Sequence, residues 1–443
     1  MTRTMRRLGG ALALGLATLP AGVARAASSP SWESVPSMIT PRGEHTATVL
    51  KDGRVLVTGG FPVVDAPPYT SVEAMSLREV EIFDPATRRW SRAAPLAQPR
   101  SGHAAILLPN GHVLVAGGRA RSEMPEGAML SSAEIYDAAS DTWRAAAPLP
   151  MPHPAPSMML VDGRPVLLGA ALNEVWDDDV LNGAIYDPPS DTWTELAYCV
   201  STFRTEYGSG IMPVSATLLH DGRLMAVGGG CSLYDRETQL WTWERGAVLP
   251  TSEYRYPHAT TLPGGDVLVV GGTRTGPDPG VRVHAQVYLP REDRWEPTSG
   301  PYAPASTPCG AGTLGMEGMR TSLLPSGKVL LTGGAEPCMD EVSRTNTVAF
   351  FSTMALFDEA TRGWSPLELE PPVTLARAYH SSTRLRDGSV LIAGGYVDAV
   401  TATASAVLFH ERSPRGEACA TDSDCGSGSC ADSVCCDSAC AGP

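Results

Sequence analysis

The chain of 443 residues has few charged side chains, few aromatic ones and no long apolar segment beyond its first twenty residues. Charged residues make up 19% and aromatic residues 6% of the sequence, whereas Gly and Pro number 45 and 38. A shortage of long polar helix formers beside so much Gly and Pro indicates short strands and tight turns. No run of about 20 apolar residues follows, so the sequence predicts no membrane span.

The first residues have the pattern of a secretory signal. Arg3, Arg6 and Arg7 precede the apolar stretch Leu8–Leu19, and small residues lead up to a cleavage point after Ala26. We therefore expect an exported protein that is extracellular, periplasmic or held at the cell surface. The predicted parts are a signal peptide over 1–26, a main domain over 27–412, and a linker and tail over 413–443.

The balance of charge argues against one class of partner. The formal charge is −14, and loss of the four arginines of the signal peptide would lower it to −18. A chain so acidic repels phosphate backbones, so nucleic acid is not expected as a partner.

A glycine is followed by a second glycine six residues later at seven places. In six of the seven the second glycine is doubled, and Ala170 interrupts the third. The spaced pairs are Gly53 and Gly59, Gly111 and Gly117, Gly163 and Gly169, Gly222 and Gly228, Gly265 and Gly271, Gly327 and Gly333, and Gly388 and Gly394. Each pair encloses an apolar run, and the first glycine follows Asp, Asn, Gly or Ser. This pattern predicts a two-residue hairpin turn that leads into a buried strand.

A second fixed spacing places a tryptophan seven residues after an aromatic residue. The pairs are Phe83 and Trp90, Tyr136 and Trp143, Tyr186 and Trp193, Tyr234 and Trp241, Tyr288 and Trp295, and Phe357 and Trp364. The residues between them are typical of a tight turn that joins two strands. Each repeat therefore contains four strands.

The double glycine, the later aromatic residue and the tryptophan together resemble the kelch repeat over nearly all of residues 32–412. The resemblance implies an all-β fold, a seven-bladed β-propeller in which each repeat is one four-stranded blade. The seventh repeat has Phe409 but no tryptophan seven residues later, whereas Trp32 has no aromatic partner before it. We therefore expect the N-terminal strand to complete the last blade and close the ring.

In a propeller of this kind the long loops all lie on one face, and we expect the ligand there. The proposed binding residues of this face are Tyr69, Trp176, Arg204, Tyr207, Arg274, Tyr302, Tyr379 and His380. Aromatic groups beside charged ones suit a glycan, a peptide or a partner protein, although a solvated rim has the same composition. The acidic run Asp177–Asp179 is interpreted as solvated rather than as a calcium site.

Four repeats carry an arginine three residues before a histidine. The pairs are Arg42 and His45, Arg100 and His103, Arg255 and His258, and Arg377 and His380. A ring of metal ligands is one interpretation. Packing between neighbouring blades is the one we favour, because kelch-type repeats commonly carry such a pair.

Kelch propellers are also the scaffold of galactose-oxidase-like copper radical oxidases, which implies an alternative function. The adjacent Tyr379 and His380 resemble two of that family's copper ligands. No second tyrosine is evident, and Cys199, Cys231, Cys309 and Cys338 have no tyrosine partner by spacing. We therefore expect a binding scaffold without a cofactor, rather than an enzyme, and copper only under the alternative.

Six of the ten cysteines lie close together near the end of the chain. They are Cys419, Cys425, Cys430, Cys435, Cys436 and Cys440. Almost no apolar residue accompanies them, and no histidine does, so disulfides are favoured over zinc in an exported chain. Six cysteines allow fifteen pairings, and the sequence does not select one.

Overall fold

The computed structural model describes the ranges 30–62, 76–120, 128–173, 178–197, 199–200, 214–228, 233–242, 254–255, 257–274, 285–298, 315–339, 346–367, 376–398, 401–411, 430–431 and 434–435. The chain divides into two compact units, Pro30–Arg412 and residues 1–29 with 413–443. Over the described ranges the backbone forms strands and turns and no helix, so none of these residues forms a helix that could cross a membrane.

The larger unit contains seven antiparallel sheets, each with four consecutively paired strands, which are the blades of a propeller. Blade 1 contains β2 (Thr46–Val49), β3 (Val55–Thr58), β4 (Val80–Asp84) and β5 (Arg89–Ala93). Blade 2 contains β6 (Ala104–Leu107), β7 (Val113–Ala116), β10 (Ala133–Asp137) and β11 (Thr142–Ala146). Blade 3 contains β12 (Ser157–Val161), β13 (Arg164–Asn173), β14 (Asp178–Asp187) and β15 (Thr192–Glu195). In blade 3 a fifth short strand, β16 (Cys199–Val200), also pairs with β14. Blade 4 contains β17 (Ser215–Leu218), β18 (Leu224–Val227), β19 (Leu233–Asp235) and β20 (Leu240–Thr242).

The other three blades repeat the same order of strands. Blade 5 contains β22 (His258–Thr261), β23 (Val267–Val270), β25 (Ala285–Leu289) and β26 (Arg294–Pro297). Blade 6 contains β28 (Arg320–Leu323), β29 (Val329–Thr332), β32 (Met354–Asp358) and β33 (Gly363–Pro366). Blade 7 contains β34 (Ser381–Arg384), β35 (Val390–Ala393), β36 (Ala406–His410) and the N-terminal β1 (Ser31–Val35). The predicted all-β fold with seven blades is confirmed.

Short additional strands lie in the connections of the loop-rich face and in the tail. They are β8 (Arg119–Ala120), β9 (Ala128–Met129), β16 (Cys199–Val200), β21 (Tyr254–Arg255), β24 (Gly272–Arg274), β27 (Gly315–Met316), β30 (Ala335–Met339), β31 (Asn346–Phe350), β37 (Cys430–Ala431) and β38 (Val434–Cys435). The long connection of blade 3 extends β13 and β14 as a ribbon, and that of blade 6 forms the hairpin β30–β31. These two connections therefore contain regular pairing where the sequence predicted loops.

The N-terminal strand closes the ring as predicted. β1 pairs with β36 in antiparallel register, with Trp32 opposite Phe409. Their ring centroids are 4.8 Å apart, close to the 4.9 Å between Phe83 and Trp90 in blade 1. Trp32 and Phe409, from opposite ends of the propeller sequence, thus form the aromatic pair of blade 7.

The core consists of seven apolar clusters, one between each pair of adjacent blades. Side chains alternate across each second strand. In β3, Val55 and Val57 pack against blade 7, whereas Leu56 packs against blade 2. A strand with a neighbour on both faces must be apolar at every position, which is why the second strands are continuous apolar runs.

The turn between the first two strands is longer than predicted in six blades. In blade 1, the Leu50 amide donates to the Arg54 carbonyl and the Gly53 amide donates to the Leu50 carbonyl. The loop therefore has three residues, and Gly53 occupies its left-handed position with φ of 92°. Only blade 3 has the predicted two-residue turn, with Val161 opposite Arg164. The prediction was wrong because the residue that follows each leucine, Lys51 in blade 1, stays out of the strand pairing and adds one residue to the loop.

A buried arginine links successive strands at the joint between blades. The Arg42 guanidinium donates to the carbonyls of Gly59 and Glu79, each at 2.8 Å, and to Glu81 Oε1 at 2.6 Å. Glu81 also accepts the backbone amides of Ile39 and Thr40, at 2.7 and 2.9 Å. Both charged side chains are fully buried, so the pair and its amides satisfy one another away from water. Arg100 and Glu134 repeat this ion pair in blade 2.

The double glycine provides the space for this joint. A Cβ on Gly59 would lie 2.4 Å from the Arg100 carbonyl oxygen and 2.9 Å from His103 Cε1, which belong to the next blade. A Cβ on Gly60 would lie 2.7 Å from the Gly43 carbonyl oxygen and 3.0 Å from His45 Cβ. The first glycine therefore accommodates the neighbouring blade, and the second accommodates the histidine of its own blade.

Blade 7 has the arginine but lacks the carboxylate at this joint. Arg377 donates to the carbonyls of Gly394 and Ser405 at 3.1 and 3.2 Å, and to Ser405 Oγ at 2.8 Å. Val407 stands where the first two blades have Glu81 and Glu134, and no carboxylate pairs with Arg377 among the described residues. Burial lowers the pKa of Arg377 to about 10.

We predict that replacing Glu81 by Val and Val407 by Glu changes the free energy of unfolding by unequal amounts. Glu81→Val leaves Arg42 as a buried cation without its carboxylate, and the free energy of unfolding should fall by about 3–5 kcal/mol. Val407→Glu places a carboxylate opposite Arg377, and the free energy should change by less than about 1 kcal/mol. Chemical denaturation of both variants measures this. A fall of several kcal/mol in the free energy of unfolding of the Val407→Glu variant would contradict the expected pairing with Arg377.

We predict that the closing strand is required for a stable ring. Removal of residues 27–38 deletes β1 and exposes the edge of β36, so the protein should aggregate or melt several degrees lower. Removal of residues 27–29 alone spares β1 and should shift the melting temperature by less than about 2 °C. Thermal melts of the two truncations measure the contribution of the strand, and equal melting temperatures would contradict it.

Candidate functional site

The first strands of the blades surround a cavity of about 390 Å³ at the loop-rich end of the channel. Its wall includes the residues that immediately precede these strands, together with the start of each strand. The charged and phenolic side chains of the wall are Glu44, Arg119, Arg320 and Tyr379. Small hydroxyl and alanine side chains make up much of the rest, which leaves the four polar groups facing a common space.

A chain of backbone hydrogen bonds holds the rim of the cavity across four blades. The amide of Tyr379 donates to Gly318, that of Glu44 to Tyr379, and that of Gly102 to Glu44, at 2.8, 3.0 and 2.9 Å. All four residues have positive φ, between 53° and 67°. Glu44 and Tyr379 adopt this conformation without being glycine, at some cost in backbone strain. The fold therefore fixes the positions from which these two side chains project.

The histidines of the repeated arginine–histidine pairs lie between blades. Three of these histidines form a hydrogen bond through Nε2 with a hydroxyl group of the preceding blade. The contacts are His45 with Ser381 Oγ at 3.0 Å, His103 with Thr58 Oγ1 at 2.8 Å, and His380 with Thr332 Oγ1 at 2.7 Å. The pairs thus connect neighbouring blades in these described repeats.

These histidines carry no charge near neutral pH. Burial lowers the pKa of His45 to about 3, and the positive charges of Arg42 and Arg320 add to the effect. Burial and Arg320 likewise lower the pKa of His258 to about 3. The pKa of His380 lies well below its usual value for the same reasons. The fixed charges of the cavity are therefore those of its arginines and of Glu44.

The copper interpretation requires Tyr379 and His380 to present two ligand atoms to one ion. The Tyr379 hydroxyl donates to Glu317 Oε2 at 2.9 Å, and His380 Nε2 bonds Thr332 inside the joint of blades 6 and 7. Over the described part of the chain, no three His, Cys, Asp or Glu side chains are grouped closely enough to hold a metal. The two candidate ligand atoms are therefore directed to protein partners rather than to a common ion.

Arg320 is the central cation of the cavity. Its guanidinium donates to the carbonyl of Met319 at 2.9 Å, and no carboxylate bonds it among the described residues. Its charge acts on His45, His258 and His380, which belong to three different blades. Burial lowers the pKa of Arg320, and Tyr379 and Glu44 oppose that effect. The Arg320 guanidinium stays protonated near neutral pH, because the ordinary pKa of arginine is 12.5.

The structure describes few of the predicted binding residues. Tyr69, Trp176, Arg204, Tyr207 and Tyr302 lie outside the described residues. Arg274 is the last residue of β24, and its side chain lies outside what the structure describes. Tyr379 lines the cavity. His380 also borders the cavity, although it is only 1% exposed.

Sequence reasoning missed Arg320, although the repeats contain a signal for it. Seven residues before the turn glycine, five other repeats have Thr46, Ala104, Ser215, His258 and Ser381. Arg320 is the one cation in this set, and alignment on the turn would have singled it out.

The same alignment corrects one of the four arginine–histidine pairs. His258 is the first residue of β22, whereas His45, His103 and His380 each precede their first strand. The motif of blade 5 is therefore shifted by one residue. The residue that corresponds to Tyr379 there is Tyr256, which lies outside the described residues.

Comparison with known proteins points to one type of repeat. No family model matches the chain. A kelch repeat and BTB domain-containing protein of Danio rerio is 28% identical over 210 residues, which cover 43% of this chain and 33% of that protein. A kelch-like protein of Aspergillus terreus is 25% identical over 315 residues, covering 67% of this chain and 61% of that protein. The chain thus spans less than two thirds of the length of these relatives.

Among solved structures, a fungal alcohol oxidase of the AA5 family in complex with copper superposes with a TM-score of 0.59. The match covers 86% of this chain and 76% of that one at 15% identity, which is evidence for the fold alone. The fixed spacings, the seven closed blades and the kelch relatives lead to one conclusion. The chain is a kelch-repeat β-propeller.

Proposed function

We propose that this propeller is an exported binding scaffold whose ligand is an acidic segment of a partner polypeptide, bound at the mouth of the central channel. The observation that supports the proposal is Arg320, a cation in the cavity that no described carboxylate bonds. A ligand carboxylate would supply the missing partner in a charge-assisted hydrogen bond. Arg119 on the same wall adds a second positive charge.

The surroundings favour an anionic group over a neutral glycan. The chain as a whole is acidic and repels an acidic peptide at long range. Within the recess, however, Arg119 and Arg320 outnumber Glu44, so the local field is positive and attracts a carboxylate. A cavity of about 390 Å³ admits a few side chains, with the remainder of a peptide crossing the rim. Tyr69, Trp176, Arg204, Tyr207, Arg274 and Tyr302 are proposed to contribute around that rim. A glycan ligand remains an outcome of the test below.

No observation of the structure specifically favours the copper radical oxidase. The likeness to a copper-containing oxidase concerns the fold, and the described residues around Tyr379 and His380 form no metal cluster. That the protein needs no cofactor remains a prediction. Copper analysis of the purified protein and a peroxide assay would test it.

We predict that Arg320 determines binding of acidic peptides. A peptide library selected on the mature protein should yield sequences with Asp or Glu, and Arg320→Gln should weaken their binding about tenfold or more. Arg294→Gln, an exposed arginine at a turn on the opposite face, should change it less than twofold. Fluorescence anisotropy of labelled peptides, with a thermal melt of each variant, measures this. Selected peptides without acidic residues, or glycan-array binding alone, would contradict the proposal.

We predict that peptide affinity hardly changes between pH 8 and pH 5.5. The histidines beside the cavity have pKa values of about 3 or well below the usual range, so they stay neutral and add no charge over this interval. Below about pH 4.5 the ligand carboxylates take up protons and affinity should fall. Anisotropy titrations in buffers of equal ionic strength measure the profile. An affinity that rises as the pH falls from 7 to 6 would show that a histidine becomes charged at the site.

A further inference from the structure

The described part of the Cys-rich tail is a pair of short antiparallel strands, β37 and β38. Their register places Cys430 opposite Cys435 and Ala431 opposite Val434. Only Asp432 and Ser433 separate the strands in the sequence. Two cysteines of the six are therefore held face to face by backbone pairing.

Direct opposition satisfies the distance that a disulfide requires. Opposed residues of an antiparallel pair have Cα atoms about 4.5–5.5 Å apart, and disulfides span Cα distances of about 4.4–6.8 Å. Opposed residues also share one face of the ribbon, about 4.5–5.5 Å apart at Cβ. Successive positions of a strand face opposite sides, so the register selects Cys435 and not the adjacent Cys436. We propose that Cys430 and Cys435 form a disulfide bond across this hairpin.

The reaction is an ordinary thiol–disulfide exchange. The two thiols of Cys430 and Cys435 give up two protons and two electrons as the S–S bond forms. An oxidant of the disulfide class, such as oxidised glutathione or a thiol oxidoreductase of the export compartment, accepts them and is reduced to two thiols. The bond covalently fixes the hairpin register in a segment that has almost no apolar residues to stabilise it.

One assigned bond reduces the alternatives for the rest of the tail. Cys419, Cys425, Cys436 and Cys440 remain, and four cysteines allow three pairings in place of the fifteen that six allow. The proposal is independent of the binding function, because it rests on the register of the tail hairpin alone.

Single substitutions in the full chain test the bond. After oxidation with oxidised glutathione and an acid quench, the wild-type protein should have no free thiol in the tail. Cys430→Ser should free one thiol, at Cys435, and Cys435→Ser should free one at Cys430. Alkylation under denaturing, non-reducing conditions and peptide mass spectrometry locate the label. Cleavage before Asp432 separates Cys430 from Cys435, and fragment-ion spectra of the two peptides distinguish them from the neighbouring Cys425 and Cys436.

Cys436→Ser is the matched control, because it changes the neighbouring cysteine and should free a thiol at neither Cys430 nor Cys435. The reciprocal labelling of Cys435 and Cys430 would support the bond. A label on any other cysteine in the first two variants, a label on Cys430 or Cys435 in the control, or six alkylated tail thiols in the oxidised wild type would overturn it.

Discussion

The propeller depends on the joint at which the arginine segment of one blade meets the double glycine of the blade before it. The Arg100 carbonyl accepts the Gly60 amide at 2.9 Å, and the Arg42 carbonyl accepts the Gly395 amide at 2.8 Å. A Cβ at the first glycine of either pair would lie within 2.5 Å of the facing carbonyl oxygen. The seven apolar clusters form only because the blades approach this closely. Packing of the core therefore depends on the small size of these glycines.

The joint also explains the polar inner wall. Once the arginine segments are fixed, the first strands come together around the channel and bond one another through hydroxyl groups. Thr260 and Thr321 link blades 5 and 6 at 2.6 Å, and Ser322 and Ser382 link blades 6 and 7 at 2.7 Å. Apolar side chains at these positions would face the water of the channel. The half-buried, hydroxyl-rich first strands are the result.

Residues that hold the blades together recur at equivalent positions of several repeats. A residue that departs from the repeat at such a position is therefore a candidate for function. Arg320 replaces a small side chain at the start of a first strand, and Tyr379 and Glu44 occupy a left-handed rim position that is glycine in blades 2 and 6. At the closing blade, Val407 replaces the carboxylate that pairs with the joint arginine in blades 1 and 2. Arg320, Tyr379 and Glu44 form part of the wall of the cationic recess. Without a carboxylate at position 407, Arg377 is bonded only by carbonyl and hydroxyl groups among the described residues.

The amino-acid sequence by itself determined the number of blades, the four strands of each and the closure by the N-terminal strand. Those features follow from local periodicity, because each spacing between glycines or aromatic residues reports one turn and its flanking strands. The pairing of Trp32 with Phe409 could be inferred since each lacked a partner that every other repeat has. The turn length was misjudged, because spacing alone does not show that the residue after the leucine, such as Lys51, stays out of the strand pairing.

The tertiary structure alone decided which side chains share the channel mouth. Glu44, Arg320 and Tyr379 lie in three different blades, and the cavity between them exists only when the ring is closed. Likewise, no local pattern could show that the repeated histidines are buried and neutral between blades. The pKa of a side chain depends on its desolvation and on charges brought near it by distant parts of the chain. Such contacts across the ring have no period in the sequence.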